Sequence, residues 1–101
     1  MIIFIDIDET ICETPGEKNV ARDYSLATPI ERNIMKANKM YDAGHHITYW
    51  TARGTQTGID WTDVTKVQLN KWGAKYHEVI LGKPHYDLFI CDKAMNTEEW
   101  K

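Results

Sequence analysis

The chain has 101 residues, 43% of them hydrophobic and 27% charged, which suits one small domain with a buried core. Its formal charge of −3 gives no electrostatic reason to expect nucleic acid or an anionic membrane as a partner. No apolar run nears the roughly 18 residues that a membrane span needs. Collagen, coiled coil and intrinsic disorder are excluded by the same composition. Two cysteines, Cys12 and Cys91, do not make a disulfide scaffold, and Met1 leads into a strand-like run rather than a secretory signal, so the expected compartment is the reduced cytoplasm.

Residues 2–7 (IIFIDI) are almost wholly apolar and end in acid, which predicts a central strand buried on both faces. Residues 11–28 hold scattered apolar side chains around Pro15-Gly16 and predict an excursion of flap size. Thr28-Pro29-Ile30-Glu31 predicts a helix start, with Thr28 as cap and Glu31 completing a capping box. Ile30, Ile34, Ala37 and Tyr41 form one apolar stripe, and Gly44 is placed to end the helix.

Residues 46–50 (HITYW) predict a second strand that ends at Thr51-Ala52-Arg53-Gly54. Asp60 predicts a helix cap, with the helix running to Trp72 and Gly73 as its stop. Its apolar arc contains Gln68, which leaves the buried face unassigned. Strands at 78–81 and 87–91 follow, and Asn96-Thr97-Glu98-Glu99 predicts a last helical turn. Only Gly82–Tyr86 separate the last two strands, whereas a parallel crossover normally takes a dozen residues or more. A helix-free return with short third and fourth strands is therefore expected. The alternation predicts an α/β domain with a central parallel sheet of about four strands flanked by helices.

In such sheets ligands sit at the carboxyl ends of the strands. Asp6 and Asp8 fall at the end of the first, Thr51 at the end of the second, Lys83 just past the third and Asp92 at the end of the fourth. Each feature alone is weak, since acids at strand ends commonly cap turns. Four of them in this order at one rim are hard to obtain by chance. Asp6 and Asp8 point the same way in extended chain. Two close carboxylates stay ionised together only when a cation separates them, or else one keeps its proton. Both solutions suit phosphoryl transfer, with one carboxylate as nucleophile and the other donating to the leaving oxygen. Asp92 adds a third hard oxygen suited to Mg²⁺, Thr51 a hydroxyl for phosphate oxygens, and Lys83 a positive charge for the transferring group.

These residues resemble the haloacid dehalogenase superfamily of Mg²⁺-dependent phosphohydrolases. The first motif stands as Ile5-Asp6-Ile7-Asp8-Glu9-Thr10, the second as Ile47-Thr48-Tyr49-Trp50-Thr51, the third as Lys83, and the fourth as Phe89-Ile90-Cys91-Asp92-Lys93. Within the superfamily the chain is most similar to short, capless bacterial proteins of capsule or surface-polysaccharide biosynthesis, through the tract Tyr49–Gly54 and through Gly82-Lys83-Pro84 with Asp92-Lys93-Ala94. The resemblance implies one Rossmann-like phosphatase domain over residues 1–101, with Asp6 forming an aspartyl-phosphate and Asp8 as general acid and base. It implies Mg²⁺ held by Asp6, Asp92 and the Asp8 carbonyl, and phosphoryl oxygens bound by Thr51 and Lys83. Where the family commonly has two adjacent acids in the fourth motif, this chain has Cys91 before Asp92; a thiol is a poor Mg²⁺ ligand, so Asp92 is the expected one.

The expected reaction is hydrolysis of a small phosphate ester, with a sugar phosphate as the leading substrate class. Alternatives are a polynucleotide or protein phosphatase, a degenerate binding protein with little turnover, and a receiver-like phospho-switch. The switch lacks the second aspartate that turns the intermediate over. Arg53, Arg22, Lys93 and the loop Thr55–Trp61 are candidates for reading the substrate, with Arg53 near the rim. His45 and His46 form no metal motif with either cysteine. Lys18, Arg22 and Lys36 are too scattered for a nucleic-acid footprint. An open sheet edge left by the short end of the chain would invite a second subunit, giving a homodimer.

Overall fold

The computed structural model describes residues 1–16 and 22–101. Three parallel strands make the main sheet: β1 (Ile2–Asp6), β4 (His46–Thr51) and β5 (Glu78–Leu81), in the order β1-β4-β5. Ile2 pairs with His46 and Asp6 with Trp50, while Thr48 pairs with Glu78 and Thr51 with Leu81, so the three strands end at a common rim. Two helices, α1 (Glu31–Asp42) and α2 (Thr62–Lys71), connect them. The alternation of the strands turns Ile5, Ile47, Tyr49 and Val79 toward Ile34 and Ala37 of α1 and Leu69 of α2, and these form the core. No helix is long and apolar enough to cross a membrane among the described residues.

The excursion after β1 is closed at its base by a two-residue antiparallel ladder, in which β2 (Cys12–Glu13) pairs with β3 (Thr28–Pro29). Residues 17–21, with Lys18, lie outside the described residues. This ladder corrects the expected start of α1. Thr28 and Pro29 belong to a strand, Ile30 occupies the cap position without a side-chain cap, and its N–H donates to the Ile11 carbonyl at 2.8 Å. The strand pairing takes the residues that the local capping signal would have used. At the other end Gly44, at φ +96°, stops the helix as expected. Helix α2 starts at Thr62 with Trp61 in the cap position, one residue later than an Asp60 cap would set it, and the Asp60 carboxylate accepts from the Thr62 N–H at 2.9 Å.

Two further expectations are corrected. Among the described residues β1 is an edge strand rather than a central one, and Ile2 and Phe4 are 75% and 54% exposed. Residues 87–91 form no strand, and Leu88, Phe89 and Ile90 are exposed. The short linker explains both. The slot beyond β1 lies three strand spacings from β5, ~14 Å sideways, and a parallel strand there must begin ~13 Å back along the sheet. From Leu81 to Asp87 the chain spans ~20 Å at full extension, barely more than the ~19 Å of that straight diagonal, which leaves no length for a detour. The Phe4 and Trp50 side chains, in edge-to-face contact at 5.8 Å, stand on the face it would have to cross. The terminal turn at Thr97–Glu99 forms as expected, with Asn96 accepting from the Glu98 N–H at 2.9 Å.

Candidate active site

Asp6 closes β1 and Lys83 follows β5, and the sheet brings them together across β4 with Lys83 Nζ 3.6 Å from Asp6 Oδ2. The Lys83 backbone is held on both sides: its N–H donates to the Thr51 carbonyl at 3.1 Å, and its carbonyl accepts from the Thr55 hydroxyl at 2.8 Å. Its ammonium lies 5.5 Å from the Trp50 ring centroid and 5.2 Å from that of Tyr86, so two aromatic faces steer the charge toward Asp6. Burial raises the Asp6 carboxyl above the usual aspartate range; Lys83 and the Ile7 N–H, which donates to Oδ1 at 2.9 Å, offset only part of that.

After Asp6 the chain makes a tight loop. The Ile7 carbonyl accepts from the N–H groups of Thr10 and Ile11, and Glu9 adopts φ +63°, which is rare for a residue other than glycine. Glu9 is tied to Arg22 by an ion pair of 2.7 Å. The Asn33 amide donates to the Thr10 carbonyl at 2.8 Å and so docks the loop on α1.

The Asp8 carboxylate is fixed more firmly than any other acid near the rim. Its Oδ1 accepts from Thr14 at 2.8 Å and from Arg53 Nη2 at 2.9 Å, with the Cys12 thiol at 3.4 Å; its Oδ2 accepts from Arg53 Nε at 3.0 Å. Arg53 has a fully buried side chain. Its Nη1 donates to Gln68 Oε1 at 2.6 Å and Thr65 Oγ1 at 3.1 Å, Nη2 also faces Cys12 Sγ at 3.7 Å, and its plane lies 4.9 Å from the Tyr24 ring centroid. All five N–H donors are engaged, so Arg53 sits inside the protein as the partner of Asp8 rather than at the rim position expected for reading a substrate. Burial, reinforced by Asp8, pushes the Cys12 thiol up to about 12, which leaves it a neutral packing residue.

Thr51 is buried at the end of β4, where its hydroxyl accepts from the Arg53 N–H at 3.1 Å. Asp6, Asp8, Thr51 and Lys83 therefore share one rim. Asp92 stands apart from it, exposed on the irregular segment after β5, with the Cys91 thiol 3.8 Å from its Oδ1. Lys93 is exposed as well. Among the described residues no group of three acid, histidine or cysteine side chains is arranged to hold a metal. Arg22, Tyr24, Gln56, Thr57 and Trp61 line one cleft, which gathers part of the set considered for substrate reading.

Sequence reasoning missed Thr14, Thr65 and Gln68 as the cage around Asp8 and Arg53, and Trp50 and Tyr86 as the guides of Lys83. Gln68 did leave a signal: a polar residue on the apolar arc of a helix needs a buried partner, and Arg53 is that partner.

No protein-family profile matches the sequence, and no curated protein is significantly similar to it. Among solved structures, the crystal structure of an MCSG target from Vibrio cholerae superposes with a TM-score of 0.82 at 25% identity, covering 99% of this chain and 87% of that one. That likeness supports one small α/β fold over the length of the chain.

Proposed function

We propose that this protein is a Mg²⁺-dependent phosphomonoester hydrolase of the haloacid dehalogenase type, acting through an aspartyl-phosphate on a sugar phosphate or a similar small metabolite. The observation that carries the reading is the Lys83–Asp6 pair at the rim, with the Asp8 carboxylate fixed two residues further on. A phosphorus atom beside Asp6 meets a carboxylate oxygen as nucleophile, while Lys83 neutralises charge on the transferring group.

The bonds balance in two steps. An Asp6 oxygen attacks phosphorus, the bond to the ester oxygen breaks, and Asp8 gives that oxygen a proton. A water then attacks phosphorus and gives a proton to Asp8 as the bond to Asp6 breaks, releasing inorganic phosphate and returning Asp6 as a carboxylate and Asp8 in the proton-bearing form in which it began. Asp8 Oδ2 accepts only from Arg53 Nε among the described residues, so this oxygen keeps a lone pair for the proton in transit. Arg53, Thr14 and Gln68 hold Asp8 in place and move no proton themselves.

The donors present fit Mg²⁺. Asp6 offers a hard oxygen whose charge Lys83 and the Ile7 N–H compensate only in part, and the Asp8 carbonyl offers a second. When bound, the ion would keep Asp6 ionised and neutralise charge on the phosphoryl oxygens. A second reading, binding of phosphate esters with little turnover, is favoured by Cys91 beside Asp92, because a thiol adds nothing to a Mg²⁺ site.

A panel of phosphorylated metabolites and an aryl phosphate, assayed with and without Mg²⁺, tests the proposal. Turnover that needs the ion and disappears in Asp6→Asn is expected. Turnover retained in Asp6→Asn, or absent for the whole panel, overturns it.

A further inference from the structure

The segment from Pro84 to Asn96 is an arm tied down at both ends. Before it, Lys83 is held by Thr51, Thr55 and Asp6. After it, the Thr97 hydroxyl meets that of Thr10 at 3.1 Å, and the Trp100 carbonyl accepts from Lys36 Nζ at 2.7 Å. Between these anchors the chain forms no helix or strand, yet it carries Leu88 at 75%, Phe89 at 54%, Ile90 at 87% and Met95 at 66% exposure. A short run of large apolar side chains with high strand propensity is unstable in water without a cover.

The same molecule presents a matching surface. Among the described residues β1 is paired only with β4, which leaves its outer edge open, and the strand itself carries no proline, lysine or bulge. Beside that edge Met1, Ile2 and Phe4 are 80%, 75% and 54% exposed. Arm and edge together expose on the order of 1,000 Å² of apolar side chain, above the ~800 Å² per partner that a stable interface buries. The linker of Gly82–Tyr86 is too short to lay the arm beside β1 of its own chain, as derived above.

We propose that the arm pairs with β1 of a second copy of this chain, each copy giving its arm to the other about a two-fold axis, and that the arm delivers Asp92 to the partner's Asp6–Asp8 rim. The lengths match. β1 has five residues and the run 87–91 has five, so a parallel, in-register pairing sets Asp87 opposite Ile2 and Cys91 opposite Asp6. Asp92 then follows at the carboxyl end, beside the two carboxylates that have no third arranged with them among the described residues of their own chain. The two-fold exchange builds two such sites, each with ligands from both chains. The delivery of Asp92 rests on the phosphatase reading; the exchange of arms does not.

Sedimentation velocity on the full chain tests the exchange. A dimer is expected, and Ile90→Asp, at a position 87% exposed in the single chain, should raise its dissociation constant roughly 100-fold or more without unfolding the protomer. A monomeric wild type, or a dimer indifferent to Ile90→Asp, overturns the proposal. Mn²⁺ binding, read from the free-ion signal in electron paramagnetic resonance, tests the delivery. Asp6→Asn and Asp92→Asn should each bind weakly alone, and refolding them together should restore about a quarter of the wild-type sites, because only the Asp92→Asn chain of a mixed dimer receives an intact set. No restoration, or full binding by Asp92→Asn alone, overturns shared ligation. A dimer broken by Ile90→Asp that binds no Mn²⁺ in wild type upholds the exchange and sinks the phosphatase reading instead.

Discussion

Replacing Arg53 with methionine is the sharpest test of how the rim is held. The substitution keeps much of the apolar stem but removes a fully buried guanidinium and its donors to Asp8, Thr65 and Gln68. Asp8, whose side chain is 16% exposed, then keeps only Thr14 and the weak Cys12 thiol as side-chain donors among the described residues. Breaking a buried pair by removing one partner costs about 3–5 kcal/mol, because the other charge is left uncompensated. A domain of this size has about 5–15 kcal/mol in all, so the variant should lose about a fifth of its stability or more, and its Tm should fall by roughly 12 °C or more. Urea unfolding of wild type, Arg53→Met, Asp8→Asn and the double variant closes the cycle. The double variant should be more stable than the sum of the two single losses predicts, by about 1–3 kcal/mol, since it no longer buries a lone charge. Arg53→Met losing less than about 1 kcal/mol, or strict additivity, would refute the assignment of Arg53 as the structural partner of Asp8.

Three other outcomes follow from the same geometry. Asp6 is raised by burial, so its ionised form costs stability at neutral pH, and that cost fades as pH falls from the raised value toward the ordinary aspartate range. Asp6→Asn should therefore melt higher than wild type at pH 7, with the gap closing on acidification; a gap that is constant or widens toward acid contradicts the shift. Gly54 has φ +80°, and a Cβ there would lie 2.0 Å from the Ile59 carbonyl oxygen, so Gly54→Ala should cost well beyond the ~1–2 kcal/mol of left-handed backbone alone, as read by denaturant titration. Cys12 should resist iodoacetamide at pH 8 in the native protein and react once urea exposes it; ready labelling in the fold would show that the thiol is neither buried nor raised.

Much of the fold was legible because the signals were local. The β-branched and aromatic run at 46–50 and the apolar run at 78–81 became β4 and β5, and the Ile34–Ala37 stripe became the buried face of α1. The errors share a different cause. The residues at 2–7 and 87–91 read as buried strands from composition alone, but burial depends on what the chain can bring alongside, and a five-residue linker decides that. Thr28 and Pro29 carried a valid cap signal that lost to a ladder with Cys12 and Glu13, residues distant in sequence. At the rim, Asp6, Asp8, Thr51 and Lys83 were findable from strand ends. The burial of Arg53 was not, because it depends on Thr65 and Gln68 arriving from α2.

That dependence sets an order of assembly. The turn bearing Asp8 follows β1 at the start of the chain, while the groups that steady it, Thr65 and Gln68 acting through Arg53, stand on a helix more than fifty residues later. A nascent or partly denatured chain in which that helix has not docked leaves the guanidinium, and with it the carboxylate, without a fixed orientation. On the phosphatase reading, partly folded forms should therefore be inert rather than promiscuous.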